Sequence, residues 1–209
     1  MMNKEEIAKI LLKIKAVTLR TNPPYKWVSG ILAPIYTDNR LLMSYTKERE
    51  KIVDGFAKAI KGNKIKANAV AGIATSGIPW AAWVAEKLKL PMVYIRKSSK
   101  DHGKENLIEG KLDRGKKVII IEDLISTGGS SINGVEAVRQ AGCKVDYCLA
   151  IFTYEMEAAR KNFEKEKVKL ITLTNFSALV GVAVKEKYLG ESDRENVLEW
   201  AKNPEKWGR

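Results

Sequence analysis

A chain of 209 residues with 45% hydrophobic and 30% charged side chains has the size and composition of one globular domain, with or without a small appendage. No apolar run approaches the roughly 20 residues that a membrane span requires. The first residues mix acids with lysines instead of forming a signal peptide. These features argue against a membrane or secreted protein, so we expect the protein in the cytoplasm.

The formal charge of +12 fits three situations: nucleic-acid binding, small polyanionic substrates, or a lysine-rich surface without a specific partner. The lysines are scattered along the whole chain, with no arginine-rich block and no interleaving of basic and aromatic residues. This pattern favours the lysine-rich surface and ranks small anionic ligands above nucleic acid. We therefore predict neither a nucleic-acid partner nor a membrane partner.

The cysteine and histidine content limits the metal chemistry. Cys143 and Cys148 have no companion cysteine or histidine nearby, so the sequence supports neither a zinc site nor a disulfide framework. Both are predicted to be buried thiols. His102 is the only histidine, which excludes a multi-histidine metal site.

The first predicted elements are a helix and an irregular segment. Ile7, Ile10, Leu11 and Ile14 follow the three- and four-residue spacing of an amphipathic helix. Residues 21–40 carry three prolines among aromatic residues, which is typical of loop and short strand.

Strands and helices alternate in the rest of the chain. A helix is predicted over residues 47–59, and residues 67–97 show an apolar run, a glycine-bearing turn, a helical stretch and a second apolar run. Residues 118–141 repeat this scheme, and residues 144–154 supply another strand. The alternation predicts an α/β fold with a mainly parallel sheet flanked by helices. Ligands of such sheets bind beyond the carboxyl ends of the strands.

The sequence KVIIIEDLISTGGSS, residues 117–131, is the most informative motif. Its apolar run ends in Glu122 and Asp123, two adjacent charges that repel each other and lose solvation unless a ligand or a cation compensates them. Carboxylate oxygens suit ribose hydroxyls or a hydrated magnesium ion. The alternative is an ordinary turn and N-cap cluster before a helix.

The second half of this motif predicts a phosphate cradle. Gly128 and Gly129 allow successive N–H groups to point at one anion, and the following helix presents its positive N-terminal end. Hydroxyl groups add further donors, from Ser126, Thr127, Ser130 and Ser131.

A cluster of basic residues follows the strand at residues 92–95. It is expected to form a loop that closes over a pyrophosphate, and the alternative is a solvated surface loop. Its potential cations are Arg96, Lys97, Lys100, His102 and Lys104, around Asp101 and Gly103.

Four motifs in this chain resemble those of a known family. VIIIEDLISTGGS is similar to the phosphoribosyl-pyrophosphate (PRPP) signature of type I phosphoribosyltransferases, and GIATSGIPWA is similar to their pyrophosphate-contacting turn. RK-x-x-KDHG and SGILAPIYTDNR resemble the catalytic loop and the orotate-proximal segment of orotate phosphoribosyltransferases. The motifs occur in the family's order, over roughly residues 21–154.

The resemblance implies the type I phosphoribosyltransferase fold with a small N-terminal helix/strand hood. It divides the chain into an N-terminal helix and hood segment at residues 1–45, a PRPP-binding core at 46–185 and a C-terminal helical tail at 186–209. It also implies transfer of ribose 5-phosphate from PRPP to orotate, giving orotidine 5-phosphate and pyrophosphate for pyrimidine synthesis.

The resemblance also assigns roles to individual residues. Lys100, His102 and Asp123 would be catalytic, and Tyr36, Arg40 and Ser126 would bind orotate. The residues assigned to PRPP are Thr75, Ser76, Arg96, Lys97, Lys100, His102, Glu122, Asp123, Leu124, Ile125, Ser126, Thr127, Gly128, Gly129 and Ser130. PRPP would carry Mg2+ without a direct protein ligand, with a water bridge to Asp123. A homodimer would share loop residues 96–104 between subunits.

The chain departs from some family members at four positions. Val28, Ala33 and Ser76 stand where those members carry lysine, serine and lysine, and Tyr154 corresponds roughly to an arginine used on the orotate carboxylate. Two alternatives follow: a phosphoribosyltransferase acting on another purine or pyrimidine base, and a PRPP-sensing regulator that binds nucleic acid. No helix-turn-helix or basic recognition segment supports the regulator.

Overall fold

The computed structural model describes residues 3–97 and 107–208. Its strands are β1 (Val17–Leu19), β2 (Tyr25–Lys26), β3 (Leu32–Ala33), β4 (Ile35–Thr37), β5 (Ala69–Ile73), β6 (Met92–Ile95), β7 (Ile108–Glu109), β8 (Lys117–Ile125), β9 (Lys144–Thr153) and β10 (Lys169–Thr172). Its helices are α1 (Lys4–Lys13), α2 (Thr46–Gly62), α3 (Gly77–Leu88), α4 (Gly129–Gln140), α5 (Glu157–Lys165), α6 (Phe176–Lys185) and α7 (Arg194–Lys202). Short 3-10 helices form at Asn39–Ser44 and Glu191–Asp193.

Six strands form the central sheet in the order β10-β9-β8-β5-β6-β7. The pairs from β10 to β6 are parallel, and only β7 runs antiparallel to its neighbour β6. The predicted mainly parallel sheet is therefore confirmed. Because helices connect the parallel strands, the carboxyl ends of β5, β6, β8 and β9 lie at one edge of the sheet.

Helices cover both faces of the sheet. Ile119 and Ile121 of β8 pack into a core with α1, α2, α3, α6 and α7, whereas Val118 and Ile120 pack into a second core with α4 and α5. Alternate residues of one strand point to opposite faces, so the apolar run of β8 fills both cores at once. This double burial explains why the run contains no polar residue.

The N-terminal segment forms the predicted hood of a helix and short strands. β1 pairs with β4, and β2 pairs with β3, both antiparallel. The Trp27 ring lies 5.2 Å from Tyr154 and 5.3 Å from Trp200, and Trp200 Nε1 donates to Leu32 O at 3.1 Å. These aromatic contacts join the hood to the end of β9 and to α7.

The predictions for the first helix and for the two cysteines also agree with the structure. α1 buries Ile7, Ile10 and Leu11, and both cysteines are buried free thiols. No helix in residues 3–97 and 107–208 has the length and apolar character needed to cross a membrane. The division into three segments at residues 45 and 185 stays a prediction.

Candidate active site

Glu122 and Asp123 lie inside strand β8 rather than after it. β5 accompanies β8 only as far as Gly72 beside Ile121, whereas β9 continues to Thr153 beside Ile125. The sequence predicts a strand that ends with its apolar run, and the strand is four residues longer because β9 supports it. Among the described residues, the last four of β8 therefore have no neighbouring strand on the β5 side, which leaves room for a ligand.

The two carboxylates are poorly solvated. Glu122 is 6% exposed, and its Oε1 accepts the backbone N–H of Asp123 at 3.1 Å. Burial raises the pKa of both carboxyl groups, and the Asp123 charge raises the pKa of Glu122 further, against a smaller opposing effect of Lys97. The free protein thus holds an acid pair whose negative charge is costly until a ligand compensates it.

Residues 126–130, which we call the loop wall, join β8 to α4. Gly128 is the N-cap of α4 with φ of +81°, and no side chain caps the helix. A Cβ at Gly128 would lie 2.9 Å from Phe163 Cε2, and Asn162 Nδ2 donates to Thr127 O at 2.9 Å. α5 therefore fixes the loop from behind, and the first N–H groups of α4 stay free for an anion.

The turn between β5 and α3 lies beside the acid pair. Its Ala74–Thr75 peptide is cis, and Ser76 directly precedes α3. A Cβ at Gly77 would lie only 2.7 Å from Ile121 O and 3.2 Å from Glu122 Oε1. A glycine is thus required for the first turn of α3 to approach β8 so closely.

Residues 37–40, which we call the hood wall, also lie beside the acid pair. Asp38 binds Arg40 through two contacts, Nε to Oδ1 at 2.6 Å and Nη2 to Oδ2 at 2.9 Å, and these lower the pKa of Asp38. Asn39 is 1% exposed, and its Nδ2 donates to Asp123 O at 2.8 Å. The hood wall therefore contacts the acid pair through the backbone of β8.

These segments enclose one cavity of about 300 Å³. Such a volume is at the lower end of the range for small-molecule sites. The cavity is lined by residues 37–40, 74–76, Lys97, 122–124 and 126–131.

Comparison with known proteins identifies the family of this chain. The phosphoribosyl transferase domain model matches residues 44–187. A curated orotate phosphoribosyltransferase of Listeria monocytogenes is 50% identical over 98% of both chains, and one of Coxiella burnetii is 46% identical over 97% of both chains. The chain belongs to the orotate phosphoribosyltransferase family.

A solved structure of the same family supports this assignment. The orotate phosphoribosyltransferase of Aeropyrum pernix superposes with a TM-score of 0.76 at 28% identity, covering 88% of this chain and 99% of that chain. The family and the fold predicted from the four motifs are therefore confirmed.

Most of the residues that the family resemblance assigns to substrates line this cavity. The ones on its walls are Arg40, Thr75, Ser76, Lys97, Glu122, Asp123, Leu124, Ser126, Thr127, Gly128, Gly129 and Ser130. Arg96 pairs with Glu109 at 3.5 Å, and the Tyr36 ring lies 5.8 Å from Tyr25. Ile125, the last residue of β8, is buried. Lys100 and His102 lie outside the described residues. The individual roles stay predictions.

The sequence did not indicate Thr37, Asp38 and Asn39 as cavity residues, whereas Ser131, expected as a hydroxyl donor of the phosphate cradle, does line the cavity. Asp38 and Asn39 belong to the orotate-proximal motif, but the motif gives no sign that Asn39 contacts Asp123, 84 residues away. Asn162 behind the loop wall was also missed, since nothing in the local sequence of α5 indicates its contact with Thr127.

Proposed function

We propose that this protein transfers ribose 5-phosphate from PRPP to N1 of orotate, giving orotidine 5-phosphate and pyrophosphate. The observation that carries the proposal is the 50% identity, over nearly the whole chain, to a relative named orotate phosphoribosyltransferase. The cavity supplies a matching arrangement of groups: free helix N–H groups, an acid pair and a cation-bearing hood wall. We place the reaction in the cytoplasm, as part of pyrimidine synthesis.

Each part of PRPP has a complementary part of the cavity. The loop wall would bind the 5-phosphate, because its free N–H groups and hydroxyls are donors at a helix N-terminus. Glu122 and Asp123 would accept hydrogen bonds from the ribose hydroxyls, since ionised carboxylates are acceptors only. The turn at residues 74–76, together with Arg96, Lys97, Lys100 and His102, would bind the pyrophosphate.

Orotate would occupy the space between the ribose and the hood wall. Arg40 carries the positive charge on that side and would pair with the orotate carboxylate, with Tyr36 and Ser126 as further contacts. Asp38 holds the Arg40 guanidinium in place before the substrate arrives. This arrangement favours a planar anion over an uncharged base.

The reaction forms a bond between orotate N1 and ribose C1, with loss of the N1 proton, while the bond from C1 to the pyrophosphate oxygen breaks. The electron pair of the broken bond leaves with the pyrophosphate. C1 passes through an oxocarbenium-like state, as in glycoside chemistry, so the site needs no enzyme nucleophile. Lys100 would stabilise the charge on the leaving group, and His102 is the candidate proton donor.

The residues of the cavity fit a magnesium ion that arrives with PRPP. Glu122 and Asp123 are buried acids that lack a compensating cation within hydrogen-bond distance among the described residues. In that part of the chain, no three potential metal ligands come together. Asp123 would therefore hold Mg2+ through water. When bound, Mg2+ neutralises part of the pyrophosphate charge.

The first test is the absorbance change of orotate on adding PRPP and magnesium to the purified protein, with adenine, hypoxanthine and uracil as parallel acceptors. We expect orotate consumption that requires both PRPP and magnesium. Consumption of another base with orotate inert would overturn the assignment of the acceptor. PRPP binding without any transfer, together with a salt-sensitive nucleic-acid gel shift, would indicate a regulator.

A second test addresses the homodimer, in which we propose that loop residues 96–104 serve the neighbouring subunit. Lys100→Ala and Asp123→Asn subunits should each be nearly inactive alone. After subunit exchange, one site in each mixed dimer regains both groups, so about a quarter of the wild-type activity should return. No recovery after demonstrated exchange would place loop and acids in the same subunit's site.

A further inference from the structure

Asn39 is an unusual residue for a site wall because it is almost completely buried. It lies in the 3-10 helix Asn39–Ser44 of the hood at 1% exposure. Its Nδ2 donates to the backbone oxygen of Asp123 at 2.8 Å. One side chain thus links the hood wall directly to the strand that carries the acid pair.

The end of β8 explains why this hydrogen bond matters. β5 pairs with β8 no further than Ile121, so the backbone of Asp123 has no strand on that side. A buried carbonyl group without a donor is unfavourable, and strands that lose one neighbour gain freedom to shift. Asn39 supplies the missing donor at the residue whose carboxylate would hold the ribose.

The carbonyl oxygen of the Asn39 amide indicates that the residue has a role beyond stability. Asn39 Oδ1 is buried and has no hydrogen-bond partner among residues 3–97 and 107–208. A buried acceptor without a donor costs free energy, so stability alone does not favour an amide here. Sites that keep such a cost are commonly functional ones.

From these contacts we propose that Asn39 is a positioning residue that fixes the backbone at Asp123 and thereby couples the hood wall to the ribose carboxylates. Asn39 stands between Asp38 and Arg40, which form the ion pair of the same wall. A displacement of the hood therefore moves the predicted orotate contact and Asp123 together. This inference rests on the proposed function, because it assigns the ribose of PRPP to the acid pair.

The test is the binding of PRPP with magnesium to the full chain, measured by isothermal titration calorimetry without any acceptor base. Asn39→Ala should raise the Kd by about tenfold, the size expected when one hydrogen bond is lost. Asn39→Leu, which restores volume but no donor, should raise it similarly. Calorimetry separates Kd from stoichiometry, so a purely structural role would lower Tm and the binding fraction while the Kd stays at the wild-type value.

Asn68, which directly precedes β5, offers a control for the loss of an asparagine contact to β8. Its Oδ1 accepts the backbone N–H of Lys117 at 2.9 Å, at the opposite end of β8 from Asp123. Asn68→Ala therefore removes another asparagine contact to the β8 backbone, at a site remote from the cavity. Its Kd for PRPP should remain unchanged, and an increase as large as that of Asn39→Ala would overturn the proposal.

A double-mutant cycle with Asp123→Asn tests whether Asn39 affects PRPP binding through the Asp123 carboxylate. Once the Asp123 carboxylate is gone, Asn39→Ala should weaken PRPP binding by less than about twofold, because there is no carboxylate left to position. Two full, additive effects would contradict the coupling, as would a wild-type Kd in Asn39→Leu. If the wild-type protein does not bind PRPP, the proposed function is wrong, and the role of Asn39 falls with it. If PRPP binds normally but orotate is not consumed, only the acceptor is wrong, and the binding test of Asn39 still applies.

Discussion

The loop wall at residues 126–130 is built by consecutive residues and backed by α5, whereas the hood wall at residues 37–40 is held mainly by contacts with distant segments. The loop wall combines a strand end, the positive φ of Gly128 and the start of α4. The hood wall is held by Asn39 at Asp123 and by the contacts of Trp27 with Tyr154 and Trp200. We infer that substitutions within residues 126–130 affect the loop wall most, whereas the hood wall is also sensitive to substitutions at its distant contacts.

Gly128→Ala should produce the largest effect on the loop wall. Alanine at a left-handed position costs about 1–2 kcal/mol, and its Cβ would also meet the Phe163 ring. Either the loop or Phe163 must move, which misplaces the N–H groups for the phosphate. We expect PRPP affinity to fall at least about tenfold in calorimetry.

Gly142→Ala is the matched control for this change. Gly142 has the same φ of +81°, but the three atoms nearest to its Cβ would belong to the flexible Arg114 side chain, away from the cavity. It should lower Tm without altering PRPP affinity. Equal losses of PRPP affinity in both variants would mean that general destabilisation, not loop geometry, explains the result.

Arg40→Ala should affect the hood wall selectively. Hydrogen bonds to charged groups contribute roughly 1.5–3 kcal/mol, so the KM for orotate should rise about tenfold or more, with a much smaller change in the KM for PRPP. Steady-state kinetics with each substrate varied in turn measures both values. Arg20→Ala removes another exposed hood charge, one that stacks 4.4 Å from the Tyr25 ring, and should leave the orotate KM unchanged.

A rise in the KM for PRPP equal to that for orotate would contradict the assignment of Arg40 to orotate alone. It would mean that Arg40 contacts the pyrophosphate, or that the two walls move as a unit whenever either is disturbed.

Glu122→Gln should have the smallest effect of these variants on the free protein, where only folding stability is measured and no ribose contact is involved. Burial and the Asp123 charge raise the pKa of Glu122 in the folded protein, so the folded state loses stability as pH rises from the ordinary carboxyl range through that raised value. A glutamine side chain does not ionise, so the Glu122→Gln variant does not lose stability in this way as pH rises. Between pH 7 and 8 the variant should melt a few degrees higher without substrate, the size expected for about 1 kcal/mol in a chain of this length.

The advantage of Glu122→Gln should disappear at pH 4, where the wild-type carboxyl is protonated. Glu186→Gln is the control, because Lys9 lowers the pKa of Glu186, and its removal should not raise Tm at any of these pH values. A Glu122→Gln variant that melts below wild type at pH 8 would show that the acid pair is compensated in the free protein.

The same contrast between walls explains what the sequence could predict. The apolar run, the acid pair and the glycine-rich turn are consecutive, so Glu122, Asp123 and residues 126–130 could be assigned to one site before the structure was known. The length of β8 could not be predicted, because it depends on β9 continuing to Thr153. The role of Asn39 could not be predicted either, since its partner is 84 residues away and its burial follows from packing of the hood.

A crystal structure with orotidine 5-phosphate bound is the most direct test of which wall binds the phosphate and which binds the base. We expect the phosphate at residues 126–130, the ribose hydroxyls on Glu122 and Asp123, and the base carboxylate beside Arg40. A nucleotide bound with its base away from residues 37–40, or with its phosphate at residues 74–76, would contradict the assignment of the two walls.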